Sequence, residues 1–162
     1  PITRYGLTKL MAENYILQKK KYTHVQFCIG RVFSFFHHKQ KSSYFIQNAY
    51  RKIYQQNNKN IFFTGLQQYR DVLGVRDICE AINFLHKKRA VGIYNVASGK
   101  KTKLLEIIKI LLNKKKIKIT TNRITRKNLN LIANVDKINS LGWSSKQNIN
   151  QILKEYLKNK RN

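Results

Sequence analysis

Two side chains near the start of the chain have the types and the spacing for acid–base chemistry. Tyr5 and Lys9 stand four residues apart in the stretch YGLTKLMAE. On a helix this spacing places both side chains on one face. An ammonium beside a phenol favours the phenolate, which is the form of tyrosine that can accept a proton. The pair therefore indicates a proton-transfer site, although the same spacing also arises by chance on surface helices.

A helix and the strand after it must position this pair. Residues 5–20 carry Leu7, Leu10, Met11 and Leu17 at helical spacing, which predicts an amphipathic helix. The next stretch, HVQFCIGRVF, alternates as a strand does, beginning near Val25. The further predicted elements are a helix over 45–54, a strand over 61–63, a helix capped by Asp77, a strand over 92–98, a helix over 103–113, strands over 117–120 and 131–134, a short helix that ends at Gly142, and a last helix over 149–157. Since helices and strands alternate, the sequence predicts the α/β class.

Length and composition suit one globular domain. The chain has 162 residues, of which 42% are hydrophobic, and this is enough for a buried core. No apolar run reaches the roughly 18 to 20 residues that span a bilayer, so we expect no membrane segment. Cys28 and Cys79 lie far apart without a CxxC spacing, and neither a disulfide framework nor a metal site is predicted. These features favour a reducing, cytoplasmic location.

The net charge of +26 raises the possibility of a polyanionic partner. The 33 basic residues are spread along the whole chain, and the densest runs, at 19–21 and 114–116, follow predicted helices. Lysines at helix C-termini suit the helix dipole. We therefore expect nucleic acid to be a minor alternative and the charge to reflect general composition.

Five stretches carry a more specific signal, namely YGLTKLMAE, GRVFSFF, YRDVLGVRDICEAI, GIYNVASGKKTKLLEI and ANVDKINSLGW. In this order they resemble the extended, sugar-nucleotide-modifying branch of the short-chain dehydrogenase/reductase superfamily, the NAD-dependent epimerase/dehydratase family. Gln40, Phe45 and the sequence VRD at 75–77 are most similar to the reductases and dehydratases of GDP-linked deoxyhexoses. The resemblance covers nearly the whole chain.

The resemblance implies a catalytic and cofactor-binding pair. Tyr5 would be the general acid/base that exchanges a proton with a sugar hydroxyl or keto group. Lys9 would favour the phenolate of Tyr5 and bind the nicotinamide ribose. The cofactor would be NAD or NADP, with both still open.

The resemblance also implies residues that bind the nucleotide-sugar substrate. Arg70 would pair with the diphosphate, a task for which a guanidinium fork is suited. Ser34, Phe45 and Arg126 would contribute further substrate contacts. Asp71 is expected to be structural, and no metal is expected.

The fold implied by the resemblance is an incomplete Rossmann-type fold of the extended short-chain dehydrogenase/reductase kind, the C-terminal half with its small substrate-binding domain. Residues 1–33 would be the remnant of the dinucleotide-binding domain. Residues 34–162 would be mainly substrate-binding domain, with 70–98 returning a helix and a strand to the Rossmann sheet. The seven glycines nowhere form GxGxxG, so the cofactor-binding turn would lie elsewhere. The strands near Val25 and Val96 would then lack neighbours, and the chain alone would be inactive.

Three functions remain open at this point. The first is a nucleotide-sugar oxidoreductase, epimerase or dehydratase, whose partner would be a companion N-terminal half or a second copy of the chain. The second is a non-catalytic module that binds a nucleotide sugar or a partner chain. The third is a basic nucleic-acid-binding protein.

Overall fold

Helices and strands alternate along the chain, as the hydrophobic periodicity predicts. The computed structural model describes residues 3–19, 22, 24–113, 115–122 and 130–161. The helices are α1 (Arg4–Lys19), α2 (Phe45–Tyr50, continued by a π-helical turn over Arg51–Gln55), α3 (Val75–Lys87), α4 (Leu104–Leu112), α5 (Asp136–Ser140) and α6 (Ile149–Arg161). The strands are β1 (Cys28–Val32), β2 (Ser34–Phe36), β3 (Asn60–Phe63), β4 (Tyr69–Arg70), β5 (Val72–Gly74), β6 (Gly92–Val96), β7 (Thr102–Lys103) and β8 (Lys118–Thr121).

The strands join in pairs that are distant in sequence. Parallel ladders connect β1 with β6, β2 with β5, and β3 with β8, while β4 and β7 are antiparallel. Parallel strands need crossover connections, which the helices supply. The α/β class is therefore confirmed.

Two hydrophobic clusters form the interior. The larger packs α2, α4 and α6 with β3, and its fully buried members are Ile46, Ala49, Leu66, Ile107, Ile108, Leu111 and Leu153. The smaller packs α3 against β5 and β6, and includes Leu73, Ala81, Val96, Ile138 and Trp143. Strands β4 and β5 run consecutively between the clusters, so the chain around Arg70 to Leu73 connects them.

Helix α1 and strand β1 are the least covered elements. Among the residues of α1 none is buried, and Leu7 and Met11 are 49% and 61% exposed. Within the described residues β1 pairs only with β6. It begins at Cys28 rather than near Val25, which is exposed. An uncovered apolar helix face beside a strand with an open edge is a surface that another element or chain can cover.

The predicted capping role of Asp77 is wrong. Helix α3 begins at Val75, and Gly74 occupies the N-cap position. Asp77 lies inside the first turn and is buried, where its carboxylate accepts N–H bonds from Lys146 and Gln147 at 3.2 and 3.1 Å. This carboxylate holds the loop before α6 against α3, a long-range task that local sequence does not reveal.

The predicted strand over 131–134 is also wrong. Only Leu131 forms a bridge, to Arg70, and the residues after it have no strand pairing. Strand β6 ends at Val96, because Ala97 and Ser98 already enter the turn at Gly99. Gly142 does end α5, with a positive φ of 99° that favours glycine.

We expect Asp77→Asn to lower the free energy of unfolding by about 1–3 kcal/mol, because an amide offers one acceptor oxygen where the buried carboxylate serves two N–H groups. Urea unfolding of both proteins measures the difference. The matched control is Glu80→Gln, which removes only the exposed ion pair with Lys146 at 3.0 Å and should cost less than about 1 kcal/mol. Equal losses in the two variants would contradict the anchoring role of Asp77.

No helix in the described part of the chain is long and apolar enough to cross a membrane.

Candidate functional site

The candidate site is an open cleft of about 820 Å³. Tyr5, Ser34, Phe45 and Arg70 all line it, although 65 residues of sequence separate the first from the last. These are four of the six residues singled out from the sequence. Lys9 stands one turn further along α1 and does not line the cleft, and Arg126 lies outside the described residues.

Each of these four residues stands at or near the end of an element, which is why they converge. Tyr5 is in the first turn of α1, where the Thr3 hydroxyl accepts the N–H of Gly6 at 3.0 Å and caps the helix. Ser34 opens β2 and pairs with Val72 in β5. Since Arg70 closes β4 two residues before Val72, the β2–β5 ladder brings Ser34 close to Arg70. Phe45 begins α2.

The lysine predicted to act on Tyr5 is close to it. The Lys9 ammonium lies 5.4 Å from the centroid of the Tyr5 ring, a cation–π distance. Tyr5 is 72% exposed, so its phenol is accessible. The same helix repeats the arrangement at Tyr15 and Lys19, with 5.5 Å between ammonium and ring centroid. Of these two tyrosines, Tyr5 lines the cleft and Tyr15 does not. Position in the structure, rather than spacing in the sequence, therefore distinguishes the Tyr5–Lys9 pair.

A side-chain ion pair fixes α1 over β1. The Arg31 guanidinium donates from Nε to both carboxylate oxygens of Glu13, at 2.9 and 3.1 Å, and from a terminal nitrogen to one of them. This bidentate bond with Arg31 lowers the pKa of Glu13 and raises the pKa of Arg31. Because β1 leads directly to Ser34, the pair sets the position of the Tyr5 helix relative to the cleft.

We expect Glu13→Gln to loosen α1 in a pH-dependent way. The folded-state pKa of Glu13 is below its usual value of 4.5, so the pair stabilises the fold above that pH and is lost as the pH falls through the lower folded value. The pair is partly exposed, and its contribution is therefore below about 1 kcal/mol. Urea unfolding should show a difference between the parent and Glu13→Gln near neutrality that disappears in acid. A difference that persists at low pH would exclude the carboxylate as its origin.

Arg70 is held at the junction of three segments. Its strand pairs with Thr102 in β7, and its backbone bridges to Leu131. The guanidinium donates to the Tyr69 carbonyl at 2.9 Å and to the Gln68 side-chain oxygen at 2.6 Å. Burial lowers the pKa of Arg70, because less water surrounds the cation. An anion in the cleft would offset that loss of hydration.

Asp71 is the structural anchor of the site. It is fully buried, and its carboxylate accepts bonds from the Ser98 N–H at 2.7 Å, the Ser98 hydroxyl at 2.6 Å, the Gly99 N–H at 2.8 Å and the Ala133 N–H at 3.3 Å. Asp71 thereby connects the turn after β6 with the segment that carries Leu131, and it does so immediately beside Arg70 in the chain. The expected structural role of Asp71 is confirmed.

Further side chains to which the motifs assign no role complete the walls. Phe35, Tyr44 and Leu131 line the cleft beside Gln40. The Gln40 amide donates to the Phe35 carbonyl at 3.2 Å and accepts the His37 N–H at 3.2 Å, which shapes the loop before α2. Over the described residues, no group of three or more histidine, cysteine, aspartate or glutamate side chains could hold a metal ion.

Comparisons with known proteins identify the family and the fold of this chain. The NAD dependent epimerase/dehydratase family model matches residues 1–97, and the chain belongs to this family. No curated protein matches the sequence significantly.

Solved structures resemble nearly the whole chain. The structure of RMD from Pseudomonas aeruginosa complexed with NADPH is 25% identical, with a TM-score of 0.87 over 98% of this chain and 56% of that one. The dTDP-glucose 4,6-dehydratase from Bacillus anthracis in complex with NAD is 22% identical, with a TM-score of 0.80 over 98% of this chain and 52% of that one. The UDP-glucose 4-epimerase from Thermotoga maritima with UDP-glucose is 20% identical, with a TM-score of 0.79 over 100% of this chain and 55% of that one. The fold is thus the Rossmann-type fold of these proteins, and the chain spans about half the length of the solved relatives it matches.

Proposed function

We propose that this chain carries the acid–base helix and the substrate site of an NAD(P)-dependent nucleotide-sugar oxidoreductase, epimerase or dehydratase. The observation that carries the proposal is the cleft, which holds Tyr5, Ser34, Phe45 and Arg70 together. Family membership and the NADPH, NAD and UDP-glucose bound to the solved relatives support it.

Tyr5 is proposed as the proton donor and acceptor. Its exposed phenol lines the cleft and can reach a hydroxyl or keto oxygen of a bound sugar, and the Lys9 ammonium lies on the same helix face, 5.4 Å from the ring centroid. Both groups are accessible, so they fit a nicotinamide ribose placed against α1. When bound, the nicotinamide would supply the hydride donor or acceptor.

Arg70 is proposed as the diphosphate ligand. Its fork is preorganised by Gln68 and Tyr69, and its partial burial strengthens attraction to an anion. Ser34 would donate its hydroxyl to the substrate, and Phe45 would border the nucleobase. Arg126 remains a proposed second anion ligand on the sequence resemblance alone.

We expect Arg70→Lys to weaken binding of a nucleoside diphosphate about tenfold, because a point charge replaces a bidentate fork. Affinity for the corresponding nucleoside, which has no phosphate, should stay the same. Titration calorimetry of the purified chain measures both affinities. Arg76→Lys, an exposed site on α3, is the matched control. If both variants lost affinity equally, the effect would reflect net charge and Arg70 would not be the ligand.

We further propose that residues 1–33 belong to the dinucleotide-binding domain and that residues 34–162 belong mainly to the substrate domain. Within the latter, residues 70–98 would contribute a helix and a strand to the Rossmann sheet of the dinucleotide-binding domain. A companion N-terminal half or a second copy of the chain would cover α1 and the open edge of β1. The uncovered faces of both elements support this part. The purified 162-residue chain should bind nucleotide sugar but not transfer hydride, and turnover by the chain alone would overturn this part.

A non-catalytic binding module is the second candidate. Two observations favour it. The substrate-binding side chain Arg70 is held by a hydrogen bond to Gln68, whereas α1, which carries the proposed acid–base pair, has no buried residue. Supplying the cofactor-binding half in trans discriminates the two, because a binding module would gain no activity.

A further inference from the structure

Acidic residues are unevenly distributed, even though basic residues occur throughout. Residues 14–70 contain no aspartate or glutamate, and neither do residues 107–135. These two acid-free segments meet in space, because β3 pairs with β8 along its whole length. Among the described residues, the two segments therefore bring lysines together at one pole of the molecule and contribute no carboxylate there. The acid closest to it along α4, Glu106, lies in the first turn of that helix, at the opposite end from the pole.

A polar cleft of about 430 Å³ opens at this pole, separate from the site described above. It is lined by a run of four carboxamides at 55–58 and by Lys59, Lys115 and Lys116. Lys115 is held in place, with its ammonium 4.3 Å from the Tyr54 ring centroid and 3.3 Å from the Ile53 carbonyl. Lys59 and Lys116 are exposed. Ammonium groups bind phosphates, and carboxamides can donate to and accept from base edges.

The outer face of the β3–β8 ladder continues from this cleft. Phe62 is 53% exposed there, while Ile61 and Phe63 on the opposite face are buried. The register sets Asn60 beside Lys118 and Phe62 beside Thr120. The Lys52 ammonium bonds to the Phe62 carbonyl at 2.8 Å. An exposed aromatic ring among lysines on a sheet face is the arrangement on which unpaired bases stack.

We propose that this pole, defined as Lys59, Phe62, Lys116 and Lys118 with the carboxamides at 55–58, binds single-stranded nucleic acid. Lys59, Lys116 and Lys118 contact successive phosphates, and Phe62 stacks on a base. Three features occur together at this pole: lysines without nearby acids in the sequence, a polar cleft and an exposed aromatic ring. A generally basic composition alone would not bring them together. The pole shares no residue with the Tyr5–Arg70 cleft, so the two sites are independent.

The first test uses fluorescence anisotropy of the full chain with a labelled oligouridylate of about 12 nucleotides. The triple variant Lys59→Glu, Lys116→Glu, Lys118→Glu should weaken binding strongly. It should also reduce the slope of log affinity against log salt by about 2, since each phosphate contact contributes about 0.7. The control triple, Lys87→Glu, Lys100→Glu, Lys154→Glu, changes net charge equally at exposed sites on α3, after β6 and on α6. It should retain most of the affinity. Equal losses in the two triples would overturn the proposal in favour of net charge alone.

The second test separates base stacking from phosphate attraction. Phe62→Ala should weaken oligouridylate binding about tenfold and leave binding of inorganic polyphosphate unchanged. Tyr22→Ala, at a tyrosine that is 82% exposed, is the control and should change neither. Preference for polyphosphate over oligouridylate, or no effect of Phe62→Ala, would overturn the nucleic-acid assignment. Nucleotide-sugar affinity should be unchanged in every variant, so failure here is distinct from failure of the proposed function.

Discussion

Replacing Tyr5 with phenylalanine should lower turnover about 100- to 10,000-fold and leave nucleotide-sugar affinity nearly unchanged. The phenolic oxygen is the only group removed, and general acid–base catalysis contributes a rate factor of this size. Since the ring remains, the wall of the cleft keeps its shape. The measurement is steady-state kinetics of a fusion in which the cofactor-binding half of a solved relative precedes this chain, with kcat and KM determined separately.

Helix α1 itself provides the matched control. Tyr15→Phe removes the same hydroxyl from the same helix, next to a lysine at nearly the same distance, but outside the residues that line the cleft. We expect its kcat to equal that of the parent fusion. A comparable loss in both variants would mean that the hydroxyls stabilise the helix, and Tyr5 would lose its proposed role.

Replacing Asp71 with asparagine should cost about 3–5 kcal/mol of unfolding free energy, a large share of the stability of a typical domain, since two donors would lose their acceptor at roughly 1–3 kcal/mol each. The carboxylate accepts four bonds in a fully buried position, and an amide must turn its NH₂ group toward some of the same donors. The bonds tie together the turn after β6 and the segment that carries Leu131. Losing these bonds should therefore loosen both of these segments.

Urea unfolding followed by circular dichroism measures the effect of Asp71→Asn. The control is Asp136→Asn, at an exposed aspartate whose bonds are to its near neighbour Asn134; it should cost less than about 1 kcal/mol. If Asp71→Asn were equally mild, buried water would have to satisfy the donors, and the anchoring account would be wrong.

Much of the fold could be predicted because the local periodicity of hydrophobic residues indicates where most helices and strands lie. Amphipathic patterns predict α3, α4 and α6 well, since each buries one apolar face. Errors arose where a long-range contact decides the structure. Asp77 has the local pattern of a cap but serves a loop 70 residues away, and 131–134 has strand composition but no strand to pair with beyond Arg70.

The sequence could predict those residues of the candidate site that belong to recognisable motifs. Four residues chosen from motifs line one cleft, although their roles remain predictions. What holds them was invisible in the sequence. The bond between Gln68 and Arg70 depends on the backbone conformation of the segment between them, and the Glu13–Arg31 pair joins residues 18 apart on two elements. The spacing of Tyr5 and Lys9 was not decisive either, since Tyr15 and Lys19 share it.

NMR of the isotopically labelled chain would show whether the Tyr5–Arg70 cleft binds nucleotide sugars. UDP-, dTDP- and GDP-linked hexoses would each be titrated while the amide signals are followed. We expect one of them to produce saturable shifts at Ser34, Phe45, Arg70 and Leu131, and we expect Arg70→Lys to weaken this response. Shifts confined to the lysine pole around Lys59 and Lys118, or no saturable shift with any of the three, would contradict this expectation.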